Sequence, residues 1–340
     1  MSDVAAIVDD VRARGDEALR EWALRLDDAE PAPARPEGEV PERALLALAD
    51  AVRHWHALQR PADVRAEVAP GVELERRWVP LRSVGIYVPR GLLSTLVMCA
   101  VPAQLAGVER VAVATPPAGA GRVARAAELL GLGEVWALGG PPAIAAFAYG
   151  TASVPRVDKI VGPGSRHVAE AKLLVARDVA VDLPAGPSEV VVLAGRGADA
   201  RIVELELAAQ AEHGPDSVCR VVEANGDAEA ALREAERLAP EHLVLLGEDV
   251  EPLADRVRDA GAVFVGAASA VAAGDYATGG NHVLPTGGWA RAVGGLGLET
   301  FLKPVTVQRL TPDGLARLRP VVEALAAVEG MPAHAAAVRR

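Results

Sequence analysis

The stretch whose reading decides the fold runs from Glu189 to Leu246: EVVVLAGRGADARIVELELAAQAEHGPDSVCRVVEANGDAEAALREAERLAPEHLVLL. EVVVLA and HLVLL are short, continuous, β-branched and leucine-rich runs of the kind buried on both faces of a parallel sheet. Between them the spacing predicts a helix over Ile202–Glu212, a strand SVCRVVE over 217–223 and a helix over Ala228–Leu238. A parallel neighbour needs a crossover of this length. The rhythm continues downstream with a helix expected over Glu251–Ala260 and a strand AVFVG at 262–266. Upstream it is already running. SVGIYVP (83–89), RVAVAT (110–115), EVWAL (134–138) and DKIVG (158–162) read as strands. Ser94–Ala106, Arg122–Leu130, Ala143–Tyr149 and Arg166–Ala176 are long enough for crossover helices. The fold class is therefore α/β, with two open-sheet lobes in tandem over 83–188 and 189–297.

Residues 1–82 precede these lobes. A helix with an apolar stripe is expected over 3–28, running through Gly15, and a second over Glu42–Gln59, with the proline-rich segment 31–38 as connector. VELERRWVPL (72–81) reads as extended chain, and the N-terminal helices are expected to pack on the second lobe. Beyond Gly266 the alternation fades into a glycine-rich loop (273–297). Residues 298–340 read as a small C-terminal helical extension containing a helix over Pro312–Val328.

Composition narrows the function. No run approaches ~20 uninterrupted apolar residues, so no membrane span is expected. The first twenty residues lack the apolar core of a secretory signal, which makes a cytoplasmic location the default. A formal net charge of -11 argues against nucleic acid. Two cysteines, Cys99 and Cys219, cannot build a thiolate zinc cluster. Any metal must be held by nitrogen and oxygen. A glycine-rich dinucleotide fingerprint is missing, since GPGSRH after DKIV fails at its last glycine.

The chain carries seven histidines, and six of them bear on the argument. His54 and His56 point to different faces of one helix, which suits a structural role. Gln210 and His213 are three apart on one helical face, a spacing from which an amide oxygen and an imidazole can share a metal; taken alone, His213 is better explained as a C-terminal histidine meeting the helix dipole. Glu241-His242 stands at a helix-to-strand junction, read here as the carboxyl edge of the sheet. It pairs two groups whose pKa values can be driven apart into an acid and a base. The loop AGDYATGGNHVLP gathers Asp275, Asn281 and His282 among glycines that admit close approach of a ligand. Glu329 and His334 lie just past the last long helix. Taken together, Gln210, His213, Asp275 and His334 form a nitrogen-and-oxygen set suited to zinc, with Glu241, His242 and His282 left for proton transfer.

Read in order, SVGIYVP, VDKIVGPGSRHVAEAK, DLPAGPSEVVV, QAEHGPDS, PEHL, AGDYATGGNHVLPT and GLETFLKPVTVQ resemble histidinol dehydrogenase from about residue 5 to the end. The resemblance implies two tandem incomplete Rossmann-like lobes in an intertwined homodimer, with Zn2+ (one per subunit) and NAD as cofactors and L-histidinol as substrate. It implies Gln210, His213 and Asp275 as zinc ligands, His334 as the ligand that crosses from the other subunit, and Glu241 and His242 as the acid–base pair. Ser188, His282 and Glu329 match substrate-binding positions. Tyr87, Ser165 and Pro142 match positions that contact NAD.

The chain departs from the family pattern on the cofactor side. Gly-Gly-Pro-Pro stands at 139–142 where Gly-Gly-Ala-Gln is expected, and Gly-Pro-Gly-Ser at 162–165 where Gly-Pro-Gly-Asn is expected; the turn over 89–95 is short. His213 and Glu241 are separated by room for one strand and one helix, where the family generally carries a further helix–strand–helix unit. The arm expected ahead of the first helix is also missing. These departures keep two alternatives open: a related zinc-dependent dehydrogenase of another small alcohol or diol, and a metal-binding paralogue without turnover.

Overall fold

The computed structural model describes residues 4–183 and 186–339. Contacts divide the chain into two units, one holding the residues up to Gln59 with Leu81–Phe301, the other Arg60–Pro80 with the residues from Leu302 onward.

The N-terminal stripe forms two helices, α1 (Val4–Arg14) and α2 (Asp16–Asp27), because Gly15 between them adopts φ +61°, which breaks the expected single helix. A two-residue strand β1 (Ala32–Pro33) and helix α3 (Glu42–Ala57) follow. The second unit takes β2 (Val64–Ala69) and β3 (Val72–Pro80). The first lobe then runs β4 (Ser83–Tyr87), α4 (Leu93–Ala106), β5 (Arg110–Thr115), α5 (Pro117–Leu129), β6 (Glu134–Ala137), α6 (Gly140–Tyr149), β7 (Lys159–Val161), α7 (Arg166–Val175) and β8 (Ala180–Val181). Its sheet has the order β1-β6-β5-β4-β7-β8, parallel except for β1. The order reverses between β4 and β7, the switch point at which open α/β sheets form a crevice.

The second lobe runs β9 (Glu189–Ala194), α8 (Ala200–Ala211), β10 (Val218–Glu223), α9 (Ala228–Leu238), β11 (His242–Leu246) and β12 (Ala262–Val265), with the all-parallel order β10-β9-β11-β12. β11 is buried at every position, as its unbroken apolar run requires. The helix expected over Glu251–Ala260 shrinks to a 3-10 turn, Glu251–Arg256. Leu253 is its single buried residue, so no apolar stripe stabilises a longer helix. The loop after β12 opens on a short helix, α10 (Val271–Tyr276).

Two expectations are corrected. The N-terminal helices pack on the first lobe rather than the second: Val4, Val8, Val11 and Leu19 share an apolar cluster with Phe147, Ile160 and Val168. A stripe shows in the sequence, but its partner does not. The C-terminal segment is also not purely helical. It begins with β13 (Leu302–Leu310), which pairs antiparallel with β3 over nine residues in a sheet of order β13-β3-β2. Helices α11 (Pro312–Val328) and α12 (Pro332–Ala337) complete the second unit.

Candidate active site

Glu241 precedes the first residue of β11, and Ser188 the first residue of β9. Both strands are parallel, so these residues lie at the amino edge of the second sheet, not the carboxyl edge expected from the sequence. Facing them from the first lobe is α4, which leaves the carboxyl end of β4; its buried Thr95 Oγ1 lies 3.4 Å from His282 Nε2. The cleft thus sits where one lobe offers its carboxyl side and the other its amino side.

Glu241 is 7 % exposed. Its Oε2 accepts from Ser188 Oγ at 2.6 Å and from the Glu189 amide at 2.8 Å. Burial nevertheless pushes its pKa up to about 8, because removing a carboxylate from water outweighs two donated hydrogen bonds. His242 is buried beside it, with Nδ1 3.0 Å from the Glu189 carbonyl. A carbonyl can only accept, so Nδ1 carries the proton and Nε2 keeps the lone pair. Burial holds this imidazole below its ordinary pKa, against the opposing charge of Asp275. Phe264 packs on the ring at 5.9 Å between centroids. A carboxyl that retains its proton and an imidazole that stays neutral therefore lie side by side.

His242, Phe264, Asp275, Asn281 and His282 line a cleft of about 190 Å³. Asp275, on α10, is 9 % exposed, and burial raises its pKa against the pull of His242 and His213. No described side chain donates a hydrogen bond to its carboxylate. His282 Nδ1 donates to the Asp275 carbonyl at 3.1 Å, and burial lowers its pKa to about 4, so the ring is neutral. The loop is anchored from behind. Asn281 Nδ2 donates to the Met98 carbonyl at 2.7 Å and to His56 Nε2 at 3.3 Å, while His56 Nδ1 donates to Val52 at 2.8 Å. His56, read as structural, is wholly buried in this network. Gly279 lies so close to α3 that a Cβ there would meet the Ala51 carbonyl at 2.5 Å.

Gln210 and His213 stand at the end of α8, as their spacing implies. Gln210 is 2 % exposed, and its amide nitrogen has no partner among the described residues. His213 is exposed, with Nδ1 3.3 Å from the Gln210 carbonyl. Among the described residues, no three His, Cys, Asp or Glu side chains converge into a ready-made cage. The buried Asp275 carboxylate, which takes no side-chain hydrogen bond, nonetheless suits a cation, and zinc would take the Gln210 amide through its oxygen, since the orphaned nitrogen can only donate; the donor set fits zinc when another ligand completes it. Glu329 and His334 lie in the second unit, both exposed.

On the cofactor side, Tyr87 and Pro142 are buried, and Ser165 alone of the three is exposed. The Tyr87 hydroxyl accepts from the Gly140 amide at 3.0 Å, and Asp27 Oδ2 accepts from the Gly139 amide at 3.1 Å. Pro141 and Pro142 have no N–H, so the amino end of α6 has no donor left for a phosphate. The amino end of α7 is different: its cap, Ser165, makes no side-chain bond there. The turn leading to it is fixed by the buried Lys172–Asp182 pair, Lys172 Nζ donating to the Gly162 carbonyl at 3.0 Å and Asp182 accepting from the Gly162 amide at 2.7 Å. The α7 end fits an anionic cofactor; the α6 end does not.

Sequence reasoning missed Glu206. This carboxylate is 8 % exposed on α8, one turn before Gln210. The signal was available: Glu206, Gln210 and His213 follow i, i+4, i+7, a polar stripe on a helix packed against a sheet.

Two segments, residues 1–234 and 224–340, match the family model described as histidinol dehydrogenase. This chain belongs to the histidinol dehydrogenase family. It is 42 % identical over 390 aligned positions to the histidinol dehydrogenase of Halobacterium salinarum, covering 99 % of this chain and 92 % of that one. The Escherichia coli histidinol dehydrogenase is 40 % identical over 386 positions, covering 98 % and 89 %. The crystal structure of the Elizabethkingia anophelis histidinol dehydrogenase superposes with a TM-score of 0.90 at 32 % identity, over 99 % of this chain and 90 % of that one. An alignment of 390 positions against a chain of 340 residues leaves at least 50 family positions without a counterpart. The two matched segments overlap at 224–234, so that stretch answers to two stretches of the family model. Family membership makes the chain an oxidoreductase of the CH–OH class with the two-lobed α/β fold.

Proposed function

We propose that this chain oxidises L-histidinol through the aldehyde to L-histidine, with NAD as oxidant and one zinc ion per subunit. The observation that carries the reading is the buried Glu241–His242 pair, one protonated and one neutral near pH 7. NAD, when bound, supplies the acceptor for the hydride that leaves the carbinol carbon. Zinc, when held by Gln210, His213 and Asp275 with the partner subunit's His334, would supply a fixed point that orients the substrate's amine and imidazole.

The chain's own residues manage the protons. His242 Nε2 takes the hydroxyl proton in each oxidation, and the Glu189 carbonyl holds the ring in the tautomer that allows it. Glu241, once ionised, takes a proton from the water that adds to the aldehyde. Ser188 and the Glu189 amide both hold Oε2, which leaves Oε1 for that water. Neutral His282 presents no competing charge to a cationic substrate. Glu329 is the remaining substrate-side residue that the family resemblance implies.

The reading includes a homodimer working in the cytoplasm. A partner is supported by α11, where Val321, Leu325 and Val328 are exposed at i, i+4 and i+7. No helix of the described residues is long and apolar enough to cross a membrane.

The test follows absorbance at the NADH band for zinc-loaded protein given L-histidinol and NAD. The expected result is two NADH per histidinol, and none from a Glu241→Gln, His242→Asn double variant. Turnover of simple diols in place of histidinol overturns the substrate assignment, and silence towards every alcohol overturns the catalytic one.

A further inference from the structure

Helix α8 buries only two side chains, Glu206 and Gln210, and both are polar. They lie four residues apart and so share a face. Gln210 is in the proposed metal set, but Glu206 has no part in the mechanism above. A buried carboxylate without a task is costly, so its partners matter. Glu206 Oε2 accepts from the Val271 amide at 3.3 Å. Val271 is the first residue of α10, whose carboxyl half carries Asp275. Val271 itself is buried, packed with Val190, Val192, Val244 and Leu246 under α8. One side chain on α8 therefore holds the first amide of α10, and each helix carries one buried member of the proposed metal set, Gln210 on α8 and Asp275 on α10.

We propose that Glu206 is a positioning residue that ties α10 to α8 and so sets the distance between Gln210 and Asp275. The inference rests on the zinc reading above. Glu206 touches neither substrate nor reacting atoms; it acts through the placement of two ligands. α10 has six residues, too short to hold its own geometry, and the residues that follow it form an irregular, glycine-rich loop. Without the Glu206 acceptor, the amino end of α10 loses its attachment to α8, and Asp275 loses its register against Gln210. Outer residues that orient metal ligands typically change affinity by about 10–100-fold when removed.

The experiment compares the full-length parent protein with Glu206→Ala and Glu206→Gln, each free of metal and then titrated with zinc against a chelator. Glutamine keeps an acceptor oxygen at the same reach; alanine does not. Expected for Glu206→Ala are faster amide exchange over 271–276 in the metal-free protein and about 10–100-fold weaker zinc binding, with a melting temperature close to the parent's. Glu206→Gln is expected to match the parent in both readouts. Parent-like exchange and affinity in Glu206→Ala overturn the proposal, as does equal loss in the Gln variant. If Glu206→Ala does not accumulate as folded protein, Val271→Pro deletes the donor at a first-turn position that accepts proline, and the same loss of zinc affinity is expected. A parent that takes up no zinc overturns the metal reading instead, and the exchange arm still decides whether Glu206 holds α10.

Discussion

At the scale of single residues, the site turns on the way burial sorts two neighbours into opposite protonation states. Glu241 keeps its proton to about pH 8, so the water-activating step is expected to quicken as pH rises through that value. The profile of kcat against pH tests this; a plateau reached below pH 6 removes Glu241 from the role. Glu241→Gln is expected to slow the second oxidation by about 10²–10⁴-fold and to lower the yield from two NADH towards one per histidinol. Ser188→Ala removes one of the two bonds that favour the ionised carboxylate, so the rising limb is expected to move to higher pH. Stability carries the same signature with a definite sign. A carboxyl raised above its ordinary value is more protonated in the folded than in the unfolded chain, so its contribution is present in acid and lost as pH climbs to about 8. Urea unfolding between pH 5 and pH 9 should show the parent weakening relative to Glu241→Gln as pH rises. The adjacency of Glu241 and His242 was legible in the sequence. Their opposed states were not, because they depend on the Glu189 carbonyl and amide and on the burial of β11.

At the scale of elements, what could be read was whatever carries its own periodicity. Ala228–Leu238 and Pro312–Val328 are helices with the expected bounds, and the apolar runs of both sheets are strands where expected. Elements defined by their partners were not legible. β13 is a strand because β3 lies beside it, and α1 sits on the first lobe because Phe147 and Ile160 offer it an apolar seat. The edge of the second sheet was misread for a similar reason: a helix-to-strand junction marks the amino end of a parallel strand. The loop 278–283 gives a test of how tightly an element can be held from behind. A methyl group on Gly279 would collide with the α3 backbone at Ala51, and the residue adopts φ +88°. Gly279→Ala is expected to cost about 1–3 kcal/mol and to lower turnover by displacing Asn281 and His282. Calorimetric unfolding alongside kcat checks it; an unchanged melting point refutes the close approach.

At the scale of the whole molecule, each lobe has an apolar core of its own. Val191, Leu193, Leu243 and Leu245 cluster on one face of the second sheet, and Val190, Val192, Val244 and Leu246 on the other. Chelation is therefore expected to abolish turnover while leaving the circular dichroism of the fold intact; collapse of the spectrum would give the metal a structural task instead. The second unit behaves differently. It is assembled from two chain segments separated by Leu81–Phe301, and β3 depends on β13 along its full length. A chain ended after Phe301 is expected to bare that strand edge and aggregate, which light scattering at equal concentration would show.

The turn at Asn225-Gly226 has a use beyond natural catalysis. Both residues are exposed, both adopt positive φ, and they lie where the two segments matched by the family model overlap. The turn joins β10 to α9, so chain added here would leave from a loop and not from a packed element. A fluorescent or ligand-sensing module spliced between Asn225 and Gly226 would leave from the strand at the sheet's outer edge, so the position offers protein engineers a ready splice port in an oxidoreductase.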